Sequence, residues 1–461
     1  MLKKYKVENF KAFSSVESFS MSNITLIYGQ NSSGKSSIIQ SLMLLKQTLL
    51  GSDPHAGLVT DGDCISLGEH RTLINRHNFD LDIKLSLDFE NQLPIDKYNE
   101  FLKQIPPFGS LDNRSISLSY SFYENEGESV SYLHELEFNA VNKSSQTPVA
   151  SFSLINSKKR TGSVHSKSSF HTTDDSSKSM FKFLKKKEEV TSKLTSKEEG
   201  EIYVACGDEF HLSNGISLPI RSINHEAGDR VNNHLDRVFS EVKYEVSKIK
   251  YLGPLRSYPK RFYSAIQGKN YLGKSDFSNV FADRNDELIE KINYWFKMFE
   301  IPYIFSVENV GNKVTGNIIS IQLTDKRNNT TVTPADVGFG IGQVLPIIIE
   351  SVINRDAIIC VEQPEIHLHP KLQAHLADLF IESSKNNNQW VIETHSEALM
   401  LRIQKRIRKN VINKSLVNVV YVQAGDNGSS IQNLPLDDNG RFLVHWPEGF
   451  FEERMHEQFG E

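Results

Sequence analysis

Gly29-Gln30-Asn31-Ser32-Ser33-Gly34-Lys35-Ser36 follows the apolar run Ile24 to Tyr28 and precedes Ile38, Ile39, Leu42, Leu45 and Leu49, which are spaced along one helix face. Strand, loop and helix in that order, with Gly-x-x-x-x-Gly-Lys-Ser spacing, make a phosphate cradle, which a chance Gly/Ser turn would not reproduce. The glycines let the backbone curl so that successive N–H groups face an anion. The helix start adds its positive dipole end. Lys35 is placed to reach the β- and γ-phosphates and Ser36 to ligate Mg²⁺. Gln30, Asn31, Ser32, Ser33 and the following Ser37 complete the expected nucleotide site, and the expected cofactors are ATP and Mg²⁺.

A second apolar run, Ala357 to Val361, leads into Glu362-Gln363-Pro364-Glu365. A carboxylate at the carboxyl end of a buried parallel strand lies where α/β sheets bind ligands. Glu362 is therefore the expected Mg²⁺-holding acid, with Ser36 as the other metal residue. A third run, Trp390 to Ile392, ends in Glu393-Thr394-His395-Ser396, which sets His395 toward the γ-phosphate region. His367 and His369 alternate at strand-like spacing. With His395 they raise the question of zinc, but no cysteine stands at ligand spacing.

Outward from these motifs the pattern divides. Residues 1–75 read as an N-terminal α/β lobe with a first strand near Tyr5 to Phe10, and 315–435 as a C-terminal α/β lobe. A tail, 436–461, follows. Between the lobes, 76–314 reads as an α+β insertion that should project from the head. Leu81 to Phe89 and Ser115 to Tyr123 alternate apolar and polar residues, as half-buried strands do. Residues 141–200 are rich in Ser, Lys and Thr and read as flexible. Residues 220–310 read as mostly helical, with an amphipathic stretch from Glu287 to Phe299.

In 461 residues, hydrophobic side chains make up 38% and charged ones 24%, enough for a sizeable core in a soluble protein. The net charge of -5 excludes a uniformly basic coat. Cys64, Cys206 and Cys360 are scattered and make no disulfide framework, which fits a cytoplasmic protein. No apolar run is long enough to span a bilayer, and the charged N-terminus lacks the apolar stretch of a signal peptide.

Taken together, Gly29–Ser36, Asp336–Gln343, Glu362–Pro370 and Glu393–Ser396 resemble the ABC/SMC/Rad50-like AAA-type ATPase heads. Asn9-Phe10-Lys11-Ala12-Phe13 is similar to the opening of RecF- and OLD-type proteins. The segments around Glu362 and Glu393, with Trp446-Pro447-Glu448-Gly449-Phe450-Phe451, resemble bacterial defence ATPases similar to the Septu protein PtuA. Gly253-Pro254-Leu255-Arg256 looks like a further landmark.

The resemblance implies an ABC-type P-loop head that dimerises or forms a higher homo-oligomer. Gly338, Gly340, Gly342 and Gln343 would be the signature segment that caps a nucleotide held by the partner's loop. His395 would be the switch histidine and His367 to Pro370 the D-loop. The signature departs from the family's usual form. So does Gln363, which stands where many heads place a catalytic glutamate. An amide is not a general base, so either Glu365 substitutes or hydrolysis is slow.

The implied function is ATP-gated control of a partner effector, an HNH-type nuclease encoded nearby, in antiphage defence. A RecF-like repair or replication ATPase acting on DNA is the alternative. The basic clusters at Arg402, Lys405, Arg406, Arg408 and Lys409, and at Lys182 and Lys185 to Lys187, offer phosphate contacts or merely solvated faces. No nuclease activity of its own is expected: one carboxylate site is convincing, and about 25 residues after Leu436 are too few for a Toprim domain.

Overall fold

The computed structural model describes residues 1–51, 57–90, 113–125, 128–141, 148–158, 164–172, 201–206, 240–254, 256, 260–264, 281 and 285–447. In chain order the first elements are β1 (Leu2–Glu8), β2 (Glu17–Ser20), β3 (Ile24–Gly29), α1 (Lys35–Leu50), β4 (Ile83–Glu90), β5 (Asn113–Asn125) and β6 (Glu128–Val141). Next come β7 (Pro148–Lys158), β8 (Val164–Thr172), β9 (Glu201–Cys206), β10 (Ile249–Leu252), β11 (Tyr263–Ser264) and α2 (Asp286–Met298). The chain continues with β12 (Tyr303–Asn309), β13 (Ile318–Asp325), β14 (Thr331–Val332), α3 (Phe339–Ile353), β15 (Ile358–Glu362) and α4 (Pro370–Ser384). It ends in β16 (Gln389–Glu393), α5 (Glu397–Arg408), β17 (Val417–Gln423) and β18 (Ser430–Asn433).

Two compact units result, Met1–Ser20 with Gln40–Ser247, and Met21–Ile39 with Lys248–Glu461. The first holds an antiparallel sheet of order β2-β1-β4-β5-β6-β7-β8-β9. In β4, Ile83, Leu85, Leu87 and Phe89 are buried while Lys84 and Asp88 are less so, the alternation of a sheet with one wet face. Arg114 at the start of β5 is buried and pairs with Glu241 at 2.8 Å.

Strands β7 and β8 run through the Ser-rich stretch where the sequence predicts flexibility. Ala150, Phe152 and Leu154 alternate with Ser151 and Ser153, a period of two that serine content obscures. The cluster Lys182 and Lys185 to Lys187 lies outside the described residues. Within 220–310, α2 is helical as expected, whereas Ile249–Leu252 and Tyr303–Asn309 are strands. Ile249 and Leu252 are buried, and Ile249–Leu252 pairs in parallel with β15.

The second unit is built on the sheet β10-β15-β16-β3-β17-β18, parallel except for β18. Strands β3, β15 and β16 are buried at every position, so they read as unbroken apolar runs. Trp390 stacks on Phe380 of α4 with ring centroids 4.5 Å apart. A smaller antiparallel sheet, β11-β13-β12 with β14, packs beside α2. Asn285 caps α2 by accepting from the Leu288 N–H. Leu288, Ile292, Trp295 and Phe296 form its buried stripe. The fold class is thus α/β with a P-loop head and a long α+β insertion, as the sequence predicts. Because β15, β16 and β3 are neighbours running the same way, their three following loops open at one sheet edge.

Candidate nucleotide site

The loop after β3 takes the left-handed backbone conformations that a phosphate cradle uses. Ser32 and Gly34 have φ of 62° and 99°, which curls their N–H groups inward. Gly29 has φ of 148°, and a Cβ there would sit 2.3 Å from the Val422 carbonyl oxygen and 2.8 Å from Ser33 Oγ. Gln30, Asn31 and Ser32 are exposed, while Ser33 and Ser37 are buried under the loop. Ser33 Oγ is a buried hydroxyl without a hydrogen-bond partner among the described residues. Lys35 is 4% exposed and donates to the carbonyls of Gly29 at 3.0 Å and Gln30 at 2.5 Å. Burial pulls its pKa down, opposed by the carboxylates of Glu393 and Glu365.

The strand beside β3 is β16, not the Glu362 strand. Ser36 accordingly donates its hydroxyl proton to Glu393 Oε1 at 3.0 Å. Glu393 is 2% exposed, and its Oε2 is buried with no hydrogen-bond partner among the described residues. Burial raises its pKa against the hydrogen bond from Ser36 and the charge of Lys35. One strand further, Glu362 accepts from the Tyr251 hydroxyl at 2.9 Å. Burial and the neighbouring Glu362 push the Tyr251 phenol well up.

Gln363 turns the chain at φ of 44°, and its N–H donates to the Glu393 carbonyl at 2.7 Å. Both carboxylate oxygens of Glu365 accept hydrogen bonds. Its Oε1 accepts from the His395 N–H at 2.6 Å and its Oε2 from the Thr394 hydroxyl at 2.8 Å. Burial raises its pKa while these donors oppose the rise. His395 is half-buried, and burial followed by Lys35 lowers its pKa, which favours a neutral ring.

The Gly338–Gln343 segment opens α3. Gly338 is exposed with nothing near its absent side chain, and a Cβ on Gly340 would lie 2.9 Å from the His367 carbonyl oxygen. Gly342 is buried. Gln343 is 1% exposed and accepts from Arg256 at 3.1 Å. Arg256 also donates to the Glu362 carbonyl at 3.1 Å. Burial lowers the Arg256 pKa to about 10 against the pull of Glu365 and Glu362. Among the described residues no hydrogen bond joins Gly338–Gln343 to Gly29–Ser37.

His367 and His369 lie in a turn and not in a strand, because Pro364 and Pro370 bracket a segment in which His367 has φ of 61°. His369 caps α4, accepting from the Lys371 N–H at 3.3 Å.

Sequence reasoning assigned no role to Glu393, Tyr251 or Arg256. Glu393 ends an apolar strand just as Glu362 does, and that signal was present. Tyr251 carried none.

For Mg²⁺, the Ser36 hydroxyl and the Glu362 carboxylate are fitting ligands, with the orphaned Glu393 Oε2 a further acceptor bordering them. Among the described residues no three His, Cys, Asp or Glu side chains form a self-contained metal cage. Mg²⁺ needs none, since it keeps waters and takes phosphate oxygens beside one or two carboxylates.

A family model described as AAA ATPase domain matches residues 1–400. A second, described as a protein of unknown function (DUF3696), matches residues 412–458. Curated proteins give no match. Among solved structures, an SMC head domain from Thermotoga maritima is 11% identical with a TM-score of 0.37, covering 95% of this chain and 99% of its own. An SMC head bound to the C-winged helix domain of ScpA is 13% identical with a TM-score of 0.48, covering 94% and 98%. A head with extended coiled coil from Pyrococcus furiosus is 14% identical with a TM-score of 0.44, covering 94% and 96%.

Proposed function

The chain belongs to the AAA ATPase domain family, and from that premise we propose that it is an Mg-ATP-binding switch that hydrolyses slowly and acts through self-association. The observation that carries this is the pair Gln363 and Glu365. The first is an amide where the attacking water needs a base. The second has both carboxylate oxygens committed to Thr394 and His395. Water attack on a γ-phosphate needs positioning and charge stabilisation more than covalent chemistry. A glutamine supplies positioning alone, and Glu365 acts by holding the His395 turn.

In this reading Gly29 to Ser37 wrap the phosphates, and Lys35 leaves its carbonyl partners for the γ-phosphate. Ser36 and Glu362 hold Mg²⁺, and a neutral His395 donates or accepts near the γ-phosphate. Held there, Mg²⁺ would supply neutralisation of the phosphate charge. The exposed backbone at Gly338, at the start of α3, is an anion-binding surface open to a second copy. Mass photometry with and without Mg-ATP tests this, and a strict monomer in both states would count against it. Lys35→Ala should abolish tight ATP binding.

The resemblance to defence ATPases adds a partner, an HNH-type nuclease encoded nearby, whose co-purification with this chain is the test. Direct action on DNA is less well supported. Arg402 and Arg406, two of the basic residues on α5, are bridged to Asp378 of α4 at 2.7 and 2.6 Å, and so serve helix packing.

A further inference from the structure

We propose that Glu393 is a positioning residue of the divalent-cation site, a second strand-end carboxylate beside Glu362; this rests on the nucleotide reading above. Three observations carry it. Glu362 and Glu393 are register partners on the parallel strands β15 and β16, so their side chains leave the same face of the sheet edge. Both are buried, at 5% and 2% exposure. Two carboxylates buried side by side are costly unless cations compensate them. Lys35 is one such cation in the site, and nucleotide phosphates draw it away toward themselves.

The second observation is the direction of the Ser36 bond. The hydroxyl donates to Glu393 Oε1, so its oxygen lone pairs point away from Glu393. A hydroxyl whose proton is already committed presents lone pairs to a metal, which is how an outer carboxylate orients an inner ligand. The third is the orphan Oε2, a buried acceptor without a donor among the described residues. A metal-bound water donates to such an atom. Glu393 therefore fixes the Ser36 hydroxyl as a metal ligand and takes a proton-bearing water from the cation's shell. Its contribution is felt only when the divalent ion is present.

The experiment is binding of a fluorescent ATP analogue to the full chain, titrated with Mg²⁺ and repeated in EDTA, for wild type, Glu393→Gln, Glu393→Asp and Ser36→Ala. The Mg²⁺ midpoint should rise about 10- to 100-fold in Glu393→Gln, and the metal-free affinity should move far less. That affinity also reports that the variant is folded. Glu393→Asp should fall between the two, and adding Ser36→Ala to Glu393→Gln should do little more than either alone. An unchanged Mg²⁺ midpoint, or equal losses with and without metal, would overturn the proposal in favour of loop packing. Wild-type protein that binds no nucleotide would instead remove the ATPase reading, and this inference with it.

Discussion

The Ser36 hydroxyl and Glu393 Oε1 lie 3.0 Å apart, so the helix that follows the phosphate loop is tied to the end of β16, the strand next to it. That strand also carries His395 three positions beyond its buried Trp-Val-Ile run by way of Glu393 and Thr394. Loop, carboxylate and His395 are thereby set on two neighbouring strands, and Glu362 stands one strand further out.

The loop conformation can be tested at Gly29. With φ of 148° and a Cβ position 2.3 Å from the Val422 carbonyl oxygen, Gly29→Ala forces the backbone to move. A residue held in such a region costs about 1–3 kcal/mol. The expected outcome is a loss of ATP-analogue affinity of roughly tenfold or more, since 1.4 kcal/mol is one decade. Equilibrium fluorescence binding reads it.

In the first unit, Arg114 and Glu241 form an ion pair with 0% and 4% side-chain exposure. Removing one member of a buried ion pair costs about 3–5 kcal/mol. Arg114→Met should lower stability by that order in urea denaturation.

The same sheet contains a pH-dependent contact. His134 Nδ1 lies 2.8 Å from Asp82 Oδ2 and 2.8 Å from Ser121 Oγ. The hydrogen bond to Asp82 holds the His134 pKa above its ordinary value, helped by the charges of Asp82 and Glu135. The Asp82 pKa lies below its own: burial opposes this, but the bonds from His134 and Ser121 and the charge of Lys84 win. The histidine contribution is complete below its unfolded pKa of about 6.5 and is lost as pH rises through the raised folded value. The aspartate contribution is present above about 3.8 and is lost as pH falls through the depressed value. Both groups are about a third exposed, so solvent screening keeps the effect below about 1 kcal/mol. His134→Asn should therefore lower Tm more at about pH 5.5 than at about pH 9. Equal losses at both would contradict the charge pairing.

The phosphate loop was legible because its chemistry is local: eight consecutive residues between a strand and a helix carry it. Strand ends were legible for the same reason, which brought out Glu362 and His395. Glu393 was overlooked because its partner Ser36 lies 357 residues away, and only strand order shows that β16 sits between β15 and β3. Tyr251 and Arg256 meet Glu362 across 111 and 106 residues, and no local spacing marks them. The resemblance makes Gln343 part of a signature segment that would cap a partner's nucleotide, whereas its side chain is buried against Arg256, 87 residues away. Its buried bond to Arg256 could not be read from the segment alone.

The most direct test of slow, switch-like ATP use is steady-state phosphate release by wild type, Gln363→Glu and Glu365→Gln under saturating Mg-ATP. The account predicts wild-type turnover well below the roughly 1–100 s⁻¹ of kinases, a rise in Gln363→Glu as a base enters, and little kinetic consequence of Glu365→Gln beyond disturbance of the His395 turn. Fast wild-type turnover that collapses in Glu365→Gln would contradict it and make Glu365 the base.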